Sequence, residues 1–316
     1  MVVLTATLNQ TAFLLLFIVA GYILSKWKFV PDNAHSTLSK LENYLLIPAL
    51  VLSTFIENFT PQKLSSTWAL LLGSLALTVL GILLSLVCAR LCSKDKYERN
   101  IFAYGLSFSN FGFMGNAVVA ALFPDIFLEY LIFTLPLWSL IYLWGAPVLL
   151  IGGSGGKQSL AQRAKSFLNP MFVCTILGML IGLTGIPIPS FFRDALSSAG
   201  SCMSPVAMLL TGMTIAQFDL RAVLRIKGVY VVTALRLLAY PLLFLGVLMV
   251  LPLPRIFATC AVCALAMPLG LNAIIIPSAM GKDTRMASGM ALVSHVLSCI
   301  TIPVILMLFD WIIQRQ

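Results

Sequence analysis

The chain has little charge. Only 10% of its 316 residues are Asp, Glu, Lys or Arg, against about a quarter in soluble domains. With 60% hydrophobic residues and a mean hydropathy of +1.00, a water-soluble domain is excluded. Histidine is scarce, two residues in all. An intramembrane enzyme needs a nucleophile with its base, or metal ligands, at one depth, and one loop histidine, one span histidine and no mid-span acid do not supply them. Barrel strands are excluded too, because apolar and polar residues do not alternate. The first apolar run lacks a basic leading segment and a small-residue cleavage site, so it is read as a retained helix rather than a signal peptide. The seven cysteines fall in or near apolar runs, where Cys packs as a small hydrophobe. "CAVC" at 260–263 has redox or metal spacing without a second ligand pair beside it. No metal and no cofactor is expected.

What the chain has is long apolar runs. A helix needs roughly 20 apolar residues to cross a bilayer, and ten runs of about that length lie at 4–24, 37–56, 66–91, 99–121, 126–152, 168–185, 191–217, 229–251, 255–280 and 284–313. The expected fold is an all-α integral membrane protein of ten transmembrane helices. The formal charge of +9 is distributed by side. Connections one, three, five, seven and nine carry Lys26, Lys28, Lys94, Lys96, Arg99, Lys157, Arg163, Lys165, Arg221, Arg225, Lys227, Lys282 and Arg285, while the other side has Lys63, Arg193, Arg255 and Arg315. Positive residues collect in cytoplasmic loops. The expectation is a multi-pass plasma-membrane protein, of the bacterial cell-membrane kind, with both termini outside. The positive excess is a topology signal in the lipid bilayer, and no nucleic acid partner is expected.

An internal repeat is visible. Gly21 and Pro48 recur as Gly178 and Pro205 at a shift of 157; Asn116 and Pro147 recur as Asn272 and Pro303 at a shift of 156. Common residues in a biased composition can align by coincidence, but the charge-derived topology independently demands an inversion, since five spans per half is an odd number. The expected organisation is a first five-helix repeat over 1–151, a Gly/Ser-rich cytoplasmic linker over 152–167, and a second, inverted five-helix repeat over 168–316.

Two equivalent spans contain poor helix formers at equivalent depth: "SFSNFGFMGNAVV" at 107–119 and "AMPLGLNAIIIP" at 266–277. Proline removes a backbone donor and glycine tolerates non-helical torsions. Non-helical backbone at membrane depth survives only where protein buries it or it lines a cavity, and paired interruptions point to a transport site. Ser107, Ser109, Asn110, Gly112, Asn116, Pro268, Gly270 and Asn272 are the expected substrate-binding residues. The competing reading is close helix packing through small residues, which does not account for the asparagines.

These segments, with "LSKLENYLLI", "PALVLSTF" and "SPVAMLLTGMTIA", resemble the auxin efflux carrier family, in its prokaryotic branch of malonate and malate permease-like proteins, nearly end to end. That family is similar to the bile-acid sodium symporters. The resemblance implies broken crossover helices 4 and 9, a scaffold from helices 1, 2, 6 and 7, and a mobile transport domain from helices 3–5 and 8–10. It also implies a mono- or dicarboxylate substrate, efflux, and a homodimer through scaffold helices. One departure is that relatives carry a "GFxGxP" pattern where this chain has Asn116-Ala117, so Gly112 and Gly115 must open helix 4 unaided, with a shallower break.

Ionisable residues inside spans are costly and are functional candidates. Arg236 has two readings: it snorkels to the interface, or it faces the cavity and attracts an anion. His295 is either a neutral imidazole satisfied by a neighbour or a proton relay. Glu42 reaches the surface or pairs with Lys40 or a basic loop. The functional expectation is a secondary transporter moving a small organic anion by elevator-type alternating access, not an enzyme. The alternatives are a sensor or receptor that binds without turnover, and a channel. Coupling to H+ or Na+ is left open.

Overall fold

The computed structural model describes residues 2–31, 33–151, 168–217, 226–251 and 253–315. The expected linker over 152–167 lies outside the described residues, as do Arg221 and Arg225. Helix occurs in every one of the ten apolar runs, and no strand occurs among the described residues. The elements are α1 (Val2–Lys26), α2 (Ala34–Leu41), α3 (Ile47–Asn58), α4 (Pro61–Cys92), α5 (Lys96–Ser107), α6 (Asn116–Leu122) and α7 (Phe127–Leu140). They continue as α8 (Pro170–Thr184), α9 (Ser190–Ser201), α10 (Met203–Ala216), α11 (Lys227–Ala234), α12 (Tyr240–Val250), α13 (Arg255–Ala266), α14 (Asn272–Ala279) and α15 (Arg285–Ile313). Five continuous helical stretches are long and apolar enough to cross a membrane: Thr67–Cys92, Pro124–Ile151, Ser190–Ala216, Lys227–Val250 and Arg285–Ile313. Shorter apolar helices lie at Ala12–Lys26, Phe111–Leu122, Pro170–Thr184 and Arg255–Ala266.

Several helices are joined by wider π turns, at Glu42–Leu46, Phe111–Gly115, Ile141–Ile151 and Leu235–Ala239. Three have a proline as their cause. Proline clashes with the carbonyl four residues earlier and offers it no N–H, and for Pro48, Pro147 and Pro241 that carbonyl belongs to Tyr44, Leu143 and Leu237, each inside a π turn. Widening the turn by one residue relieves the clash: Ile47 N–H reaches back to Glu42 O and Tyr240 N–H to Leu235 O.

Packing is most extensive along α1 and α10, and next along α3 and α8. The surface carries large apolar side chains in rows, among them Leu72, Leu80, Leu83 and Leu91 on α4 and Leu242, Leu243 and Val250 on α12. Contiguous exposure of that kind fits a lipid environment.

Glu42 is neither at the surface nor paired. Its side chain is 0% exposed, and both carboxyl oxygens lack a hydrogen-bond partner. The π turn carries it inward, against α8, α9 and α10, and among the described residues no cation pairs with it. A buried polar group without a partner costs about 1–3 kcal/mol. Glu42→Met, similar in length and apolar, is therefore expected to raise the thermal unfolding midpoint in detergent. A lowered midpoint would show that the carboxyl does have a partner.

Candidate transport site

The two interrupted helices meet at their interruptions. The first break is three residues, Phe108–Asn110, between α5 and the π turn; the second is five, Met267–Leu271, between α13 and α14. Gly112 and Gly115 do not form the opening themselves, because they lie in the π turn just after it. A single antiparallel bridge pairs Ser109 with Leu269. Asn110 N–H donates to Pro268 O at 2.7 Å and Gly270 N–H to Phe108 O at 3.3 Å. Backbone freed by each break is thus satisfied by the other, as membrane depth requires.

Side chains tighten the crossing. Ser109 Oγ donates to Ala264 O at 2.7 Å, and Leu269 N–H donates to Ser294 Oγ at 3.2 Å. Asn110 Nδ2 lies 2.9 Å from His295 Nε2, and His295 Nδ1 lies 2.7 Å from Ala291 O. A carbonyl only accepts, so Nδ1 carries a proton. Nε2 then accepts from the Asn110 amide, and the imidazole is neutral in this arrangement. His295 is 1% exposed and acts here as a clamp on Asn110.

The polarity of the crossing is sorted. α5 and α13 both arrive with their C-terminal ends, and the π turn before α6 and helix α14 both leave with their N-terminal ends. First-turn N–H groups have no intrahelical acceptor and carry partial positive charge. Ser109, Asn110, Phe111, Gly112, Gly270, Leu271 and Asn272 border one cavity of about 20 Å³, together with Tyr104 and Trp138. Ser107 lies on the other side, where with Ser109, Thr78, Tyr240 and Arg236 it borders a cavity of about 30 Å³. Pro268 contributes its carbonyl to the crossing. Asn116 sits one turn beyond the cavity, buried, with its amide oxygen unpartnered. The Ser107 hydroxyl is also unpartnered.

Arg236 neither snorkels nor points at an open vestibule. It is 3% exposed, and its guanidinium donates to backbone carbonyls: Nε to Met267 O at 3.2 Å, Nη1 to Leu106 O at 3.0 Å, and Nη2 to Ala264 O at 3.1 Å and Leu265 O at 3.2 Å. These oxygens belong to the C-terminal ends of both half-helices.

The model of the membrane transport protein family matches residues 6–164 and 159–306, nearly the whole chain. The chain belongs to that family. It is the auxin efflux carrier family that the sequence motifs resemble. An uncharacterised transporter of Methanothermobacter thermautotrophicus is 25% identical over 295 residues, covering 92% of this chain and 94% of the archaeal one.

Within this membrane transport protein, Trp138 is a neighbour of the site that the sequence reading did not single out. Its ring stands edge-on to Phe111, centroids 5.0 Å apart, and is stacked with Tyr142 at 6.1 Å. It borders the crossover cavity and also a larger one of about 280 Å³ shared with Lys40, Asn43, Asn169 and Tyr142. A second large cavity, about 400 Å³, lies toward the other end of α3 and is bordered by Glu57, Asn58, Lys63, Asp125 and Glu129. Lys63 and Glu129 form an ion pair there. The available signal for Trp138 was "WSLIY", which puts two aromatics four residues apart on one helix face.

Proposed function

We propose that the protein is a secondary carrier of a small organic anion, such as a mono- or dicarboxylate, across the plasma membrane by elevator-type alternating access. The observation that carries this reading is the pair of half-helix N-terminal ends on one cavity: such ends attract anions, and among the described residues no acid borders that cavity. Lys40 in the adjoining 280 Å³ cavity supports approach of an anion from that end, past Trp138. At about 20 Å³ the crossover cavity is too small for a carboxylate, so on this reading Trp138 moves when one enters.

The packing supports the inverted plan. If the first span corresponds to the sixth and the second to the seventh, the contact of first with seventh must recur as sixth with second. The two most extensive contacts are those, α1 with α10 and α8 with α3. Gly21 abuts Leu209 in the first, and its repeat partner Gly178 abuts Phe55 in the second. We take ten spans as crossing, with α1–α3 and α8–α10 the static scaffold and the rest the moving part.

The test is uptake of labelled malonate, malate and an aromatic carboxylate into proteoliposomes under imposed proton, sodium or voltage gradients. Saturable uptake is expected, falling about tenfold to hundredfold in Asn272→Ala, the loss of one charge-assisted hydrogen bond, and by less in Asn116→Ala, since Asn116 lies beyond the cavity. Binding without uptake under every gradient would make the protein a sensor. Uptake unchanged in both variants would place the site elsewhere.

A further inference from the structure

A helix C-terminus leaves its last carbonyls unpaired and carries about half a negative charge. Two such ends, from α5 and α13, converge at the crossing. Converging backbone carbonyls are how membrane proteins hold a small cation at depth. Leu106, Ala264, Leu265 and Met267 form that arrangement, and Arg236 fills it. The fit is held from outside: the Arg236 guanidinium carbon lies 5.9 Å from the Tyr240 ring centroid, and the Tyr240 hydroxyl is 2.9 Å from Ser85 Oγ. Among the described residues no carboxylate pairs with Arg236. Its counter-charge is the two helix ends.

We propose that this carbonyl cage is a monovalent-cation site that the chain occupies with its own Arg236, and that removing the guanidinium creates a site for a free cation of the same kind. The cage stands on geometry alone. Its consequence for coupling, that a free metal cation has no place at these carbonyls during the cycle, rests on the carrier reading above.

The experiment uses purified full-length protein in detergent and reads the thermal unfolding midpoint against guanidinium at low millimolar concentration, with urea as the neutral isostere and with Na+ replacing N-methylglucamine. Wild type is expected to be indifferent to all three. Arg236→Ala should unfold at lower temperature and recover at least about 3 °C with guanidinium, and not with urea. Equal recovery with urea would reduce Arg236 to a hydrogen-bond donor and overturn the charge argument, and no recovery with any cation would overturn the site. An Arg236→Ala chain that folds only when guanidinium is present is the same supporting result. If it folds under neither condition, Arg236→Gln, which keeps volume without charge, decides: a cation-dependent rise supports the cage, and none overturns it. The readout needs no flux, so absence of transport in wild type would sink the carrier reading and leave the cage standing. Sodium-dependent stabilisation of wild type, abolished in Arg236→Ala, would sink the cage and leave the carrier.

Discussion

Gly21→Leu is expected to leave little folded protein. A Cβ at Gly21 would lie 2.1 Å from the carbonyl oxygen of Leu209 and 2.8 Å from its carbonyl carbon. Both are backbone atoms of α10, so no side chain can swing aside and the two helices must part along their length. Close approach through small residues is what holds helices together in lipid, where apolar surface gains nothing by leaving one hydrocarbon for another. The cost should sit at or above the upper end of overpacking penalties, about 3 kcal/mol. Gly178→Leu should be milder, since its nearest contact, the Phe55 Cβ, is at 2.7 Å rather than 2.1 Å and the nearest backbone oxygen, of Leu52, is at 3.3 Å. Gly81→Leu is the control, having nothing within 4 Å. Size-exclusion profiles and unfolding midpoints of the three would rank them in that order. A Gly21→Leu chain as stable as Gly81→Leu would mean that α1 and α10 do not touch at this point.

Gly112→Leu should stop transport even where the protein survives. The Cβ it adds would meet the Trp138 ring at 2.3 Å, so leucine must expel the indole from its seat on the half-helix and fill the crossover cavity. Overpacking of this sort costs about 1–3 kcal/mol. Unlike the Gly21 clash, this one is against a side chain. Gly112→Leu combined with Trp138→Ala should therefore recover most of the lost stability while leaving uptake abolished, because leucine still occupies the cavity. If the double variant is no more stable than Gly112→Leu alone, the contact between Gly112 and Trp138 is not the source of the loss.

Much of the architecture was legible because the bilayer simplifies the code. Apolar runs fixed where helices lie, and the residues that cannot continue a helix, Pro268 and Gly270 above all, marked the second break. The first break was harder. "SFSN" contains no proline, so its opening at Phe108–Asn110 depends on bonds to Pro268 and Gly270 across space, which no local pattern encodes. Arg236 was conspicuous as a charge in an apolar run, but its partners are backbone carbonyls of α5 and α13, and carbonyls leave no mark in a sequence. Glu42 was misjudged for a related reason: its depth depends on a π turn produced by Pro48 six residues later, and on α8, α9 and α10 closing over it. Trp138 was passed over because aromatic residues in an apolar helix are commonplace, and only the position of Gly112 opposite gives this one a role.

The crossing at Ser109 and Leu269 is stitched by main-chain atoms, and main-chain atoms are the same in every residue type. Substitution of the surrounding side chains, Phe108, Phe111 or Leu271 among them, can therefore reshape the cavity without cutting the seam itself. Such a scaffold lets the cavity's shape drift while its framework stays put, and it gives an engineer a defined set of positions at which to retune what the cavity accepts.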